Sequence, residues 1–188
     1  MKTRSILLSV SFFFLSSCIF TKPSLDKDYI PYQELEFGTI YRSFDVFRSI
    51  YFYEHSTLNK ALGNKSPISL YIFNTDEDSG LRLTMRYVGS NWLYVKYITV
   101  LNSSGEKVTW YFEQSKMKRD VNNGSVFETY DNRFPKNIYD SLKEVLEGGG
   151  IQMRLYGDDG YKEYTIPPDE TKGLIEIIDF YETSLFER

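Results

Sequence analysis

A chain of 188 residues with 41% hydrophobic and 26% charged side chains has the make-up of one globular domain and excludes intrinsic disorder. Its formal net charge of −4 repels polyphosphates, which argues against a nucleic-acid partner. A single cysteine, Cys18, and a single histidine, His55, leave Cys-His catalysis and cysteine-based zinc sites without ligands, and any Ser-His-Asp triad would have to use His55.

The first eighteen residues read "MKTRSILLSVSFFFLSSC". Lys2 and Arg4 form a short positive start, and residues 6–15 are apolar except for Ser9 and Ser11. A bilayer-spanning helix needs about twenty apolar residues, so this block is too short for a lasting transmembrane anchor and reads as an export signal. Leu15, Ser16, Ser17 and Cys18 resemble the lipobox of bacterial lipoprotein precursors, in which an aliphatic residue and two small residues precede a cysteine. The resemblance covers residues 1–18 only. It implies that the Cys18 thiol receives a diacylglyceryl group, that cleavage falls before it, and that the new amino group is often acylated as well. Cys18 is then a lipidated tether to the membrane of a bacterial cell envelope, since two or three fatty chains anchor firmly where one binds reversibly. Position 19 is Ile; an Asp there resembles an inner-membrane retention signal in some bacteria, so the residue favours the outer membrane over the inner. Lys2 and Arg4 are the only charges before Cys18, so the mature part keeps 20 basic and 26 acidic side chains, a formal net of −6.

This gives three segments: a signal peptide (1–17), a lipidated N-terminus and tether (18–35) carrying Pro23 and Pro31, and a single domain (36–188). Within the domain, "IYRSFDVFRSIYFYEH" is rich in β-formers, yet Phe44, Phe47 and Tyr51 also fit a helical spacing, so its state stays open. "ISLYIF" and "LRLTMRYV" are clearer strands. In the second, Leu81, Leu83, Met85 and Tyr87 alternate with Arg82, Thr84 and Arg86, as on a sheet with one wet face. "WLYVKYITVLNSSGEKVTWYFEQS" reads as two strands joined at residues 102–106. "KMKRDV" and "SVFETYD" flank "NNG", where Asn and Gly accept positive φ in a tight hairpin. The period then changes: Ile138, Leu142 and Val145 line one side of a helix that Pro135 can start and Gly148 can end. A hairpin around "GDDG" follows. A last helix starts near Pro168, with Leu174, Ile178, Tyr181 and Leu185 as its apolar stripe and Lys172, Glu176, Asp179 and Glu182 lying elsewhere. The expected fold is α+β: a largely antiparallel sheet of hairpins with two helices in the C-terminal third.

The remaining candidates for chemistry are mostly excluded. His55 lies beside Glu54 and Ser56, but neighbours on a strand point to opposite faces, so it reads as a surface or strand-end histidine. Asn74, Asp76 and Asp78 are spaced like calcium ligands, yet Ser79 and Met85 occupy the places of the Gly and Glu that an EF-hand requires; the segment reads as a solvated acidic turn. Asp158 and Asp159 belong to a hairpin turn. Gly148, Gly149 and Gly150 follow a helix, whereas a phosphate loop precedes one. Lys116, Lys118 and Arg119 read as a wet strand face. No catalytic, cofactor-binding or metal-binding residue is assigned, and lipidation at Cys18 is the one modification expected. The functional expectation is a membrane-anchored envelope lipoprotein that binds an envelope protein or glycan, or serves a structural role, without catalysis; the alternative is a carboxylate-dependent envelope enzyme such as a glycan hydrolase.

Overall fold

A computed structural model describes residues 30–31, 39–58 and 66–185; Cys18, the expected signal peptide and most of the expected tether lie outside them. The strands in chain order are β1 (Ile30–Pro31), β2 (Ile40–Asp45), β3 (Ile50–His55), β4 (Ile68–Asn74), β5 (Ser79–Gly89), β6 (Val95–Leu101), β7 (Lys107–Tyr111), β8 (Lys118–Asn122), β9 (Ser125–Arg133), β10 (Gln152–Gly157) and β11 (Gly160–Thr165). Helix α1 (Lys136–Glu147) follows β9, and α2 (Pro168–Leu185) follows β11. The fold is α+β. All strand pairs are antiparallel, in a seven-stranded sheet of order β1-β2-β3-β4-β5-β9-β8 and a four-stranded sheet of order β11-β10-β6-β7.

Local chemistry explains most of these elements. Residues 40–55, ambiguous in sequence, become a hairpin because Asp45 Oδ1 accepts hydrogen bonds from the amides of Phe47 (3.0 Å) and Arg48 (3.2 Å). That turn competes with helix continuation. At the "NNG" turn Asn123 and Gly124 take φ of 49° and 76°, the pair of left-handed residues that matches the twist of a two-residue hairpin. In β5, Leu81, Leu83 and Met85 are buried while Arg82, Thr84 and Arg86 lie on the opposite face. Phe73 faces Gly80 across β4 and β5, and a Cβ on Gly80 would come within 2.6 Å of the Phe73 ring. The missing side chain gives that ring its place on the sheet.

The two helices are where the apolar pattern predicts them, with wider buried faces. Helix α1 begins after Pro135 and ends at Gly148; it buries Tyr139, Leu142, Val145 and Leu146, with Ile138 at the flank. Helix α2 buries Leu174, Ile178 and Tyr181 as expected, and also Ile177 and Phe180. The side chain of Leu185 lies outside those described. Each helix packs on the sheet other than the one its chain has just left: α1 follows β9 of the seven-stranded sheet and lies on β6 and β7, whereas α2 follows β11 of the four-stranded sheet and lies on β3, β4 and β5. The helices also pack on each other. One apolar cluster therefore includes residues of both sheets and both helices.

Candidate functional site

The outer face of the four-stranded sheet carries a row of four tyrosines in register. Tyr161 pairs with Tyr156, Tyr156 with Tyr97, and Tyr97 with Tyr111, so one tyrosine comes from each strand. Successive ring centroids lie 5.9, 4.6 and 5.0 Å apart, and the central pair is stacked at 14°. The alternate residues, Ile98, Val100, Trp110, Met153 and Leu155, point into the core, which fixes the tyrosines on the wet side. The end rings are well exposed, Tyr111 at 74% and Tyr161 at 57%. A parallel row of Glu163, Arg154, Thr99 and Thr109 runs beside them. Arg154 donates to the Tyr156 hydroxyl at 3.0 Å, pairs with Glu163, and lies over the Tyr161 ring at 4.5 Å; Thr99 and Thr109 share a hydrogen bond of 2.8 Å. The face is thus aromatic, hydroxyl-rich and locally neutral.

The segment joining β5 to β6, which leads into a central strand of this sheet, carries Trp92 and Tyr94, stacked at 6.1 Å. Its shape depends on a carboxylate that the sequence reading did not single out. Glu128 in β9 is fully buried and accepts backbone hydrogen bonds from Leu93 (2.7 Å), Tyr94 (2.7 Å) and Val95 (2.9 Å), with Arg119 Nε at 3.2 Å. Four donors on two oxygens meet the requirement that a buried charge be paired and hydrogen-bonded. They hold Tyr94 at φ 54°, a conformation that non-glycine residues seldom take without such support. From the other side, Gly157 closes on the segment: a Cβ there would lie 1.9 Å from the Leu93 carbonyl oxygen, and the Asp159 amide donates to that oxygen at 3.3 Å. Burial, with a smaller contribution from the nearby Glu128, raises the Tyr87 phenol, whose hydroxyl donates to the Asn91 carbonyl at 3.0 Å. A signal for Glu128 was present, since it shares the parity of the buried Val126 and the core-packed Tyr130 along β9.

His55 ends β3 but is buried, not on the surface. Its Nδ1 accepts from the Thr57 amide at 3.2 Å, so in the neutral ring the proton sits on Nε2, which donates to Glu176 Oε2 at 2.8 Å. Glu176 also accepts from Thr39 Oγ1 at 2.9 Å and pairs with Lys172 at 3.2 Å. The expectation that Glu176 lies away from the packed face of α2 is therefore corrected: the fold bridges a sequence separation of 121 between it and His55. Burial holds the imidazole below its usual 6.5 despite the opposing pull of Glu176. Burial also acts to raise the Glu176 carboxyl, but hydrogen bonds from His55, Thr39 and Lys172 outweigh it and the net shift is downward. With both ring nitrogens engaged, this pair is a clamp between α2 and the seven-stranded sheet.

The remaining sequence-flagged residues fall into turns and surface pairs. Thr75 Oγ1 accepts from the amides of Glu77 and Asp78 and shapes the acidic turn, and Asp78 pairs with Arg133. No group of three or more acidic, His or Cys side chains placed to hold a metal occurs among the described residues. Asp158 pairs with Lys96 in the β10–β11 turn. Gly148 caps α1 and packs on Asn102, while Ser103 donates from its amide to Gly149 and from Oγ to Gly148. Of the basic run, Arg119 is drawn to Glu128 and over the Tyr94 ring at 5.6 Å. Compared with known proteins, the chain matches no family model, no curated protein and no solved structure.

Proposed function

We propose that this protein is a lipid-anchored component of a bacterial cell envelope that binds a partner through the tyrosine-bearing face of its four-stranded sheet, without catalysis. The observation that carries the binding half is the tyrosine row itself: four aromatic side chains in register, one per strand, on a face that neither helix of the described residues covers. Tyrosines combine a large apolar area with a hydroxyl and two χ angles, which makes them effective contact residues at modest entropic cost. The anchoring half rests on the pattern of residues 1–18 and on Cys18. Use of the carboxylates supports binding over the glycan-hydrolase alternative, which needs two acids facing one another across a cleft. Glu128 is occupied by backbone amides and Glu176 by His55, Thr39 and Lys172.

The test is photo-crosslinking in intact cells from positions 111 and 161, with the exposed Glu144 on α1 as the control site. The reading expects discrete adducts from the two tyrosine positions and none from position 144. Adducts from all three sites alike, or from none, would remove the sheet face as the binding surface.

A further inference from the structure

The turn between β2 and β3 is the least expected apolar surface of the molecule. Phe47 is 99% exposed and Val46 71%. They are not on a slack loop: Asp45 holds the turn through the amides of Phe47 and Arg48, Arg48 pairs with Asp45 at 3.7 Å, and Ser49 takes φ 54°. One layer below, Phe44 packs on Tyr51 at 4.4 Å and Arg42 lies over the Tyr51 ring at 5.1 Å. An apolar tip above a layer of aromatic and arginine side chains has the order of groups that suits the boundary between acyl chains and headgroups, where Arg stems lie along apolar surface and their heads stay wet.

The direction of β1 bears on which end of the sheet an N-terminal anchor would favour. Ile30 pairs with Arg42 and Pro31 with Tyr41, so β1 runs away from the β2–β3 turn and its first residue is the one nearer that turn. Eleven residues lie between Cys18 and Ile30, and so twelve Cα-to-Cα steps. At no more than about 3.6 Å each they reach roughly 40 Å, which keeps this end of the sheet within reach of the bilayer. The acidic turn between β4 and β5, with Asp76 and Glu77, lies at the same end, so attraction to anionic lipid does not explain the tip. Apolar insertion does.

We propose that Val46 and Phe47 form a second membrane contact that dips into the lipid interface beside the acylated Cys18 and sets the orientation of the domain on the bilayer. This rests on lipidation of Cys18. The thioether formed there blocks the chain's only thiol, so Phe47→Cys in the lipidated protein can be labelled at that position alone with a thiol-reactive bimane. Val121→Cys, also exposed and at the opposite end of the sheet, is the control. The proteins are reconstituted into phosphatidylethanolamine vesicles, with and without phosphatidylglycerol, containing a phosphatidylcholine brominated near the headgroup. The expected result is blue-shifted emission and bromolipid quenching at position 47, neither at position 121, with little dependence on phosphatidylglycerol. Equal exposure to water at both positions would overturn the proposal while leaving the anchor standing. Bimane labelling of the unsubstituted protein at Cys18 would remove the anchor and the proposal together. Protection of position 47 in native envelopes without quenching in vesicles would assign the tip to a protein partner and overturn it as well.

Discussion

Gly173 lies inside α2, where alanine is ordinarily the better helix former by about 1 kcal/mol. Here the sign reverses. A Cβ at this position would come within 2.8 Å of His55 Nδ1, 3.1 Å of Cε1 and 3.3 Å of Leu58 Cγ, against a ring held on both sides by hydrogen bonds. Gly173→Ala should therefore destabilise the protein by about 1–3 kcal/mol, the range for an overpacked site, as read from the midpoint of chemical denaturation. The same ring makes a prediction about acid. Burial lowers the folded pKa of His55 below the unfolded value of about 6.5, so between the two values the unfolded chain binds more protons and stability falls with falling pH. Protonation would also place a second N–H against the Thr57 amide. Glu176, likewise lowered, adds a further loss below its usual 4.5. Since His55 is the only histidine, melting temperature should decline from about pH 7 toward pH 5 in the native protein and stay nearly flat there in His55→Gln, at a lower overall value.

Among the elements, the segment from β5 to β6 is the one whose form depends most on a single distant side chain. Glu128→Ala would strip acceptors from three amides and leave Arg119 facing an apolar gap. A cost on the order of 3 kcal/mol is expected, with Trp92 fluorescence shifting to the red as the segment loosens while Trp110 stays in the core. Such an element is hard to read from sequence. Hairpins closed by residues 123–124 and 158–159, and α1 between Pro135 and Gly148, are legible because their causes are local. The partners of β5 and β6 are not: β9 joins β5 and β10 joins β6 across intervening chain, through packing that leaves no mark in any short window. The tyrosine row has the same origin. Each of its tyrosines alternates correctly along its own strand, but their alignment depends on the register between β10 and β6. The β2–β3 turn was ambiguous because aromatic residues satisfied both periods, and Asp45 broke the tie.

For the whole molecule, the proposed attachment and folding are expected to be separable. Cys18→Ser should release the protein from the membrane fraction without lowering its melting temperature, because the packed core is built from residues well beyond position 18. Mass spectrometry of the mature protein should find an N-terminal cysteine bearing fatty chains; an intact 1–17 segment would contradict the anchor. The reciprocal packing of the helices also bears on when the core can form. Residues of β2 to β5 are synthesised early, but the cover for their inner face is α2, the last element of the described chain. The four-stranded sheet waits as well, since β10 and β11 come after α1. A growing chain therefore exposes two half-covered sheets until its final turns of helix emerge. For a lipoprotein exported as proposed above, such a delay would help threading of the unfolded chain across the membrane, because the core described here does not close before α2 has been made.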